Sequence, residues 1–323
     1  NQGQEFAGVW IKETREDGVI IRGAKQVNTL APLADELLIF NLPDLKPEDK
    51  KFALAFALPI ATPGVKVICR KSTMKPEQSL ADYPLSQAFD EMDAFLLFDD
   101  VFVPNDALFV CGDVEQSNAF FEVSGLFNHT AHQDEVRGFI KLEFVTGIAV
   151  RLAHQLGLFD FQRVQEKLGE LSVNLEMIQS CIIASEVTGK IQNGVFTPNM
   201  QTLLAVRAKL TTYYDEALRV IAELSAGSAV GVPDFCSFSN PDIAKMLDSA
   251  LTSDLMTAEE RMLLLNLAWD ITSESFGQRQ RVYEFLHGGN PMFIHLQHLR
   301  HTDLTQANQM IDKVLDNARN GKK

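Results

Sequence analysis

The sequence predicts an α+β protein in which an antiparallel β-barrel or sandwich domain precedes an α-helical bundle. Short runs rich in β-branched and aromatic residues fill the first 110 positions, with no helical pattern between them. From Val114 the apolar residues instead recur at helical spacing almost to the end. The chain also lacks internal repeats. We therefore predict a β-domain over residues 1–110 and a helical bundle over residues 111–323.

The clearest predicted strand covers residues 51–59. Bulky Phe52, Leu54, Phe56 and Leu58 alternate there with three alanines, which is the period of a strand with one bulky face. The predicted strands are Phe6–Glu13, Val19–Asn28, Glu36–Leu42, Lys51–Pro59, Val65–Arg70, Ala94–Phe98 and Val101–Pro104. Because no crossover helices separate them, they are expected to pair antiparallel.

Two long helices each carry one apolar stripe. Between 164 and 182 the apolar side chains step by 4, 3, 4, 3 and 4 residues, and the pattern resumes over 203–224 after a break at Asn193-Gly194. Asn240-Pro241 predicts a helix start with proline at the first position, and Thr257–Glu260 predicts a capping box.

Charge and cysteine usage exclude several classes of protein. The formal net charge of −14 and the lack of basic runs argue against a general nucleic-acid binder. No segment approaches the ~20 apolar residues of a membrane span. The four cysteines form no CxxC pair, so we expect four reduced, buried thiols in a cytoplasmic protein.

Motif searches leave several interpretations open. The sequence contains neither GxGxxG nor GxxxxGK[ST]. Glycine clusters at 225–228 and 287–291 are typical of helix C-caps followed by turns, or of backbone that approaches a ligand closely. His295, His298 and His301 have no accompanying Cys or acidic ligand, so we predict no metal site.

Two groups of charged residues are candidates for function. His132 lies near a predicted helix start and is followed by Arg137, a combination that could hold a phosphate. A cluster of carboxylates flanks a predicted strand, and it indicates either acid–base chemistry or, as we expect, a solvated strand edge. Its members are Asp90, Glu91, Asp93, Asp99 and Asp100.

A resemblance adds to this picture. In order along nearly the whole chain, the sequence resembles the oxygenase components of two-component 4-hydroxyphenylacetate 3-hydroxylases, which have an acyl-CoA dehydrogenase-like fold. The segments that carry the resemblance are 23–36, 55–59, 90–94, 98–104, 132–137, 268–270, 275–280 and 288–291.

The resemblance implies an enzyme that uses FAD as FADH2, supplied by a separate NADH-dependent reductase. Oxygen would react with the reduced flavin, and one oxygen atom would be placed ortho to the hydroxyl of 4-hydroxyphenylacetate or a similar phenol. The protein would exclude water and orient the ring. The resemblance further implies a homotetramer or homodimer built through the bundle.

The family also has a helical N-terminal domain that carries its substrate anchors. This sequence opens with Asn1-Gln2-Gly3-Gln4 and enters a strand pattern almost at once, which indicates a cut edge. We therefore expect that domain to be missing, and we assign no catalytic side chain.

Individual positions match the flavin site of the family. Thr29 matches a strand residue that hydrogen-bonds the isoalloxazine ring. The bundle loop that touches the flavin corresponds to Gly288, Gly289, Asn290 and Pro291, and a helix-end segment near the flavin nucleotide corresponds to Gly227 and Ser228. We add His132 and Arg137 as candidates for a flavin edge.

Two further positions match the substrate side of the family. Asn41 and Leu42 fall where a loop contacts the aromatic acid, but the family often has small hydroxyl residues there. This departure leaves the identity of the phenol open.

Alternative functions differ in the residues that they require. The related 4-hydroxybutyryl-CoA dehydratase needs a cluster-binding Cys where this chain has Phe139, which argues against that activity. An acyl-CoA dehydrogenase, or a relative acting on another phenol, stays open. So does a fragment that binds flavin or supports oligomerisation without turnover.

Overall fold

The computed structural model describes residue 6, residues 8–41 and residues 43–321. The chain folds into two compact units that interleave along the sequence. The first comprises residues up to Phe127 together with Ser225–Gln278, and the second comprises Asn128–Leu224 and Arg279–Lys323. The domain division between residues 110 and 111 stays a prediction.

The first unit contains two antiparallel sheets in its described residues. One has the strand order β1-β2-β6-β5, with β1 Trp10–Thr14, β2 Gly18–Thr29, β5 Val65–Cys69 and β6 Asp93–Pro104. The other has the order β3-β4-β7, with β3 Glu36–Phe40, β4 Leu54–Pro59 and β7 Leu108–Cys111. The predicted antiparallel β-domain is confirmed.

Apolar residues of both sheets form one core. Phe56 of β4 and Phe98 of β6 are both 0% exposed, and their rings meet edge to face with centroids 6.0 Å apart. Leu54 and Leu58 belong to the same cluster, as the alternation in the sequence predicts. Because residues from two separate sheets share this core, the β-domain is a sandwich rather than a closed barrel.

Some strand boundaries differ from the prediction. Residues predicted as two strands, 94–98 and 101–104, form one strand with a register shift near Asp100, whose φ is +55°. The predicted strand start at Lys51 is wrong, because Pro47–Phe52 forms a 3-10 helix. The Lys46 amide donates to the Asp49 carboxylate (3.0 Å), which stabilises the first turn of that helix.

The first unit also contains helices α1 (Val114–Val123), α5 (Pro241–Leu251) and α6 (Ala258–Ser273). The predicted helix starts are confirmed. The Asn240 side chain accepts from the backbone of α5, and Thr257 forms the expected capping box with Glu260. Buried Asp270 of α6 accepts from the amides of Leu85 and Ser86 at 2.8 and 2.9 Å.

Helices dominate the second unit. They are α2 (Leu126–Gln155), α3 (Gln162–Val187), α4 (Met200–Val230), α7 (Ser275–Leu286), α8 (Pro291–His301) and α9 (Thr305–Asn320), of which α2, α4 and α7 begin or end in the first unit. Both predicted stripes are confirmed: Leu168, Leu171, Ile178 and Ile182 of α3 are buried, as are most stripe residues of α4.

The break predicted between α3 and α4 is a β-hairpin. β8 (Lys190–Gln192) and β9 (Val195–Thr197) pair antiparallel around Asn193 and Gly194, both with positive φ. An Asn-Gly dipeptide between short apolar runs is the common signal for such a turn, so the hairpin could have been predicted from the sequence.

Cysteine burial also differs from the expectation. All four cysteines are unpaired within the described residues, but Cys69, Cys111 and Cys236 are exposed and Cys181 is only half-buried, so the prediction of buried thiols is wrong. Cys69 and Cys111 end the short strands β5 and β7, and Cys236 lies in the 3-10 helix Phe235–Ser239; at such surface positions an apolar sequence context does not ensure burial. In the described part of the chain, no helix is both long and apolar enough to cross a membrane.

Candidate functional site

Thr29 is the last residue of β2 and faces Asp93 across the β2–β6 ladder. Its Oγ1 donates to Asp93 Oδ1 (2.7 Å), and Asp93 Oδ2 accepts from Arg70 Nε (3.0 Å). A hydroxyl has one proton and two lone pairs. Since the proton of Thr29 is directed at Asp93, the hydroxyl offers a ligand only its acceptor lone pairs.

The carboxylates near this strand are ion-paired. Arg70 contacts both Asp93 and Asp90, and Ser72 Oγ donates to Asp90 (2.6 Å). Burial by itself would raise the pKa of Asp90, but the bonds from Ser72 and Arg70 lower it overall. At the other end of the set, Asp99 and Asp100 pair with Lys66, Arg22 and Lys12. The expected solvation is confirmed for Asp99 and Asp100, whose side chains are 38% and 45% exposed, and is wrong for Asp90 and Asp93, which are mostly buried against Arg70.

Asn41 takes part in hydrogen bonds inside the β-domain. Its Oδ1 accepts from Lys25 Nζ (2.9 Å), and its Nδ2 donates to the carbonyls of Phe52 and Val9. Lys25 Nζ also donates to the Phe40 carbonyl (2.6 Å), and burial lowers the pKa of this lysine. The amide of Asn41 thus joins the ends of several segments, and substrate contact stays a prediction. Leu42, the second predicted substrate residue, lies outside the described residues.

Gly227 and Ser228 follow an interruption within α4. Ala226 has φ +45° and ψ −140°, which a residue with a Cβ rarely adopts. Both following residues are exposed, and a Cβ at Gly227 would meet no atom within 4 Å. The predicted helix end is therefore a local break, and contact of Gly227 and Ser228 with a nucleotide stays a prediction.

The loop between α7 and α8 has the two caps that its sequence predicts. Gly289, at φ +98°, donates its N–H to the Leu286 carbonyl (2.9 Å) and ends α7. The Asn290 side chain accepts from the Met292 N–H (2.9 Å), and Pro291 occupies the first position of α8. This confirms the interpretation of a C-cap followed by a turn.

Gly288 lies beside the side chain of an arginine from α4. A Cβ at this position would lie 2.8 Å from Arg207 Nε, so any other residue would require the Arg207 side chain to shift. Arg207 Nη2 lies 3.2 Å from Asp134 Oδ2. The Nε atoms of Arg207 and Arg137 are buried and have no hydrogen-bond partner among the described residues.

His132 and Arg137 do not form a joint site. Five residues apart on α2, they are separated by about 140° around the helix axis. His132 Nε2 lies 2.8 Å from Glu186 Oε1 on α3, whereas Arg137 contacts Asp134 and Glu284. The structure therefore directs their side chains to different neighbours, and each flavin contact stays a separate prediction.

Arg137 instead belongs to a buried polar cluster that sequence reasoning missed. We call it the α2 charge cluster; its members are Asp134, Glu135, Arg137, Lys141, Arg207, Tyr283, Glu284 and His287. The only sequence signal was the spacing of Asp134, Arg137 and Lys141 at three and four residues within an apolar helix.

Ion pairs connect α2, α4 and α7 in this cluster. Lys141 Nζ lies 3.0 Å from Glu284 Oε1. Burial by itself would lower the pKa of Arg137, but its hydrogen bonds to Glu284 and Asp134 raise it overall. The Tyr283 ring lies under Arg137, at 4.7 Å, and stacks on His287 with centroids 4.4 Å apart. Burial lowers the pKa of His287.

Glu135 is the exception within the cluster. It is 0% exposed, and neither of its carboxyl oxygens has a hydrogen-bond partner among the described residues. Burial raises its pKa well above the usual range, and the negative charge of Asp134 adds to the effect. Both effects favour the protonated form of this carboxyl.

Family comparisons agree with this architecture. The family profile described as 4-hydroxyphenylacetate 3-hydroxylase N terminal matches residues 1–110. The corresponding C-terminal profile matches residues 117–316. Together they cover both the sheets and the helices that hold the candidate residues.

Individual relatives extend the comparison. The 4-hydroxyphenylacetate 3-monooxygenase oxygenase component of Thermus thermophilus is 34% identical over 90% of this chain and 60% of its own length. The 4-nitrophenol 2-monooxygenase oxygenase component of a Rhodococcus species is 29% identical over 90% of this chain and 57% of its own. The chain thus spans somewhat more than half the length of these relatives.

A solved structure matches the entire fold. The crystal structure of a 4-hydroxyphenylacetate 3-monooxygenase oxygenase component complexed with FAD and 4-hydroxyphenylacetate superposes with a TM-score of 0.92 at 31% identity. The match covers 100% of this chain and 67% of that one. The predicted combination of an antiparallel β-domain and a helical bundle is thereby confirmed, and the chain belongs to the 4-hydroxyphenylacetate 3-hydroxylase family.

Proposed function

We propose that this chain forms the flavin-binding part of an oxygenase component that hydroxylates a phenol ortho to its hydroxyl group, using FADH2 and O2. The observation that carries the proposal is its match, over the whole chain, to an oxygenase component complexed with FAD and 4-hydroxyphenylacetate. When bound, the reduced flavin would supply the reaction with oxygen. The protein would bind the flavin, orient the phenol ring and exclude water from both.

The residues proposed to hold the flavin fit such a group. Thr29, with its proton directed at Asp93, would accept a hydrogen bond from an N–H of the isoalloxazine ring. In the bundle, the space beside Gly288 is taken by Arg207, and the buried Nε donors of Arg207 and Arg137 have no hydrogen-bond partner among the described residues. The remaining proposed contacts are Gly289, Asn290, Pro291, Gly227, Ser228 and His132.

On the substrate side, we propose Asn41 and Leu42. Because the Asn41 amide already binds Lys25 and two backbone carbonyls, it would shape the substrate pocket by fixing the end of β3. 4-Hydroxyphenylacetate is the first substrate to test. The related 4-nitrophenol enzyme makes 4-nitrophenol the second.

We further propose a separate flavin reductase as the partner that delivers FADH2, and a homotetramer or homodimer as the assembly. A cytoplasmic location is part of the same proposal, since all four cysteines are unpaired and three of them are exposed.

The first experiment measures turnover. The chain is mixed with an NADH-dependent flavin reductase, FAD and 4-hydroxyphenylacetate or 4-nitrophenol, and the ortho-hydroxylated product is quantified by chromatography. Product in excess of a reductase-only control supports the hydroxylase. A second candidate function is flavin binding without turnover. FADH2 binding without product would support that candidate, and absence of both would contradict both.

A second experiment tests the role of Thr29. Replacing Thr29 by Val removes the acceptor without changing the shape of the side chain, and should weaken anaerobic FADH2 binding by about tenfold, or about 1.4 kcal/mol. Thr14→Val, at the exposed end of β1, is the matched control. Equal FADH2 affinity in Thr29→Val and wild type would remove Thr29 from the site.

A further inference from the structure

Asp134 is a buried carboxylate of α2 that contacts side chains from two other segments. It is 3% exposed. Its Oδ2 lies 3.2 Å from Nη2 of Arg207 on α4, and its Oδ1 lies 3.3 Å from Nε2 of His287, the residue directly after α7. Oδ1 also contacts Arg137 on α2 itself. Since removing one partner of a buried ion pair leaves a charge uncompensated, Asp134 holds α4 and the end of α7 to α2.

Both partners from outside α2 lie at the 287–291 loop. His287 is the first residue of this loop. The Arg207 side chain lies against the second, because a Cβ at Gly288 would be 2.8 Å from Arg207 Nε and 3.0 Å from its Cγ. Among the described residues, Arg207 forms an ion pair with Asp134 alone. One carboxylate therefore reaches the loop by two routes, through Arg207 and through His287.

The hydrogen bonds of the loop itself are local. The Gly289 N–H donates to the Leu286 carbonyl (2.9 Å), and the Asn290 side chain accepts from the Met292 N–H (2.9 Å). Such caps determine the shape of the loop, but they do not determine where the loop lies relative to α2 and α4. Contacts between helices determine that position, and those of Asp134 are among them.

The ring of His287 is held in a defined orientation. It stacks on Tyr283 with centroids 4.4 Å apart and an interplanar angle of 15°. Burial lowers the pKa of His287, so its imidazole is neutral near pH 7 and has one N–H. The neighbouring carboxylate of Asp134 favours the tautomer with this N–H on Nε2. The stack thus fixes the plane of the ring, and Asp134 fixes its rotation within that plane.

We propose that Asp134 is a positioning residue for the flavin, because it holds the 287–291 loop in place through Arg207 and His287. The inference rests on the proposed function, which assigns residues 288–291 to the flavin. A loop that is already in place loses less conformational freedom when a ligand binds, so its fixation strengthens binding. Asp134 acts through its neighbours and needs no contact with the flavin.

The first test measures the loop in the absence of flavin. Asp134→Asn keeps the shape of the side chain but removes its charge. In hydrogen exchange followed by mass spectrometry, peptides covering residues 287–292 should exchange about tenfold faster than in wild type, whereas the α3 segment 168–182 should be unchanged. Glu143→Gln, at an exposed position on α2, is the matched control and should leave both segments unchanged. Equal loop exchange in Asp134→Asn and wild type, or the same acceleration in both segments, would overturn the proposal.

A second set of variants tests the two routes. His287→Phe keeps the stack on Tyr283, and its position is 38% exposed, so this variant should fold even where Asp134→Asn does not. It should also speed exchange of the loop, and unchanged exchange would contradict the route through His287. In a chain that already carries Arg207→Met and His287→Phe, adding Asp134→Asn should change loop exchange less than about twofold, because both routes are gone. A change of about tenfold in that background would overturn the proposal, since Asp134 would then act on the fold in general.

Flavin binding separates this inference from the proposed function. In anaerobic titrations, Asp134→Asn should bind FADH2 about tenfold more weakly than wild type, and a higher FADH2 concentration should restore its turnover. Faster loop exchange with unchanged FADH2 affinity would overturn the role of Asp134 in flavin binding. A wild type that binds no FADH2 would contradict the proposed function, whereas the exchange measurements would still decide whether Asp134 fixes the loop.

Discussion

Replacing Glu135 by Gln should change the pH dependence of stability in a defined way. The folded pKa of Glu135 is raised, first by burial and then by Asp134, whereas the unfolded value is about 4.3. Between these two values the folded chain holds a proton that the unfolded chain releases. Stability conferred at this position is therefore present at low pH and lost as pH rises through the window.

The magnitude follows from linkage. One proton of difference between the two states corresponds to about 1.4 kcal/mol per pH unit. Glu135→Gln has no titrating group and lacks this loss. Within the window, the free energy of unfolding of the variant should therefore gain on that of wild type by up to about 1.4 kcal/mol for each pH unit. The unpartnered amide of Gln adds a constant cost, which shifts the curve but not its slope.

Urea unfolding at several pH values, at one protein concentration, measures this difference. Glu143→Gln, at an exposed position on the same helix, controls for the general effect of removing one carboxylate. A difference between Glu135→Gln and wild type that stays flat with pH would refute the reasoning. So would one that favours wild type at higher pH, since Glu135 would then be ionised and stabilised by the neighbouring arginines.

Three further predictions concern backbone conformation and buried hydrogen bonds. Ala226→Gly should stabilise the chain by about 1 kcal/mol in thermal unfolding, because φ is +45° there; Ala222→Gly in the regular part of α4 should cost about 1 kcal/mol instead. Asp270→Ala should destabilise by about 3 kcal/mol or more, since two buried amides lose their acceptor, whereas Ser86→Ala removes one hydroxyl and should cost less. Gly289→Ala should lower the free energy of unfolding by about 1 kcal/mol, because φ is +98° at this position. No steric clash contributes, since no atom lies within 4 Å of the Cβ position. Equal unfolding midpoints for Gly289→Ala and wild type would contradict this prediction.

Local patterns determined much of the fold. The alternation around Phe56, the apolar stripe of α3 and the caps at Asn240 and Thr257 were all readable, because each depends on residues within one or two turns of the chain. The hairpin at Asn193-Gly194 was equally local, and its signal was present but was interpreted only as a break.

The candidate site likewise has local features that the sequence predicts and contacts that only the structure shows. The caps of the 287–291 loop were predicted from their residue types. That His132 and Arg137 form no joint site could also have been predicted, because a separation of five residues places them on different sides of a helix. Their partners, Glu186 and Glu284, could not, because they lie far away in the sequence. The acidic set near Asp93 also needed the structure, since the basic partners are contributed by other strands.

By itself, the sequence determined the class of fold, the type of most elements and, through its resemblance to a family, the chemistry to test. Only the tertiary structure decided that Thr29 directs its proton at Asp93, that Gly288 makes room for Arg207, and that Glu135 is buried without a partner. The physical reason is that propensity and periodicity act over a few neighbouring residues. Hydrogen bonding, burial and pKa values depend instead on groups brought together from distant parts of the chain.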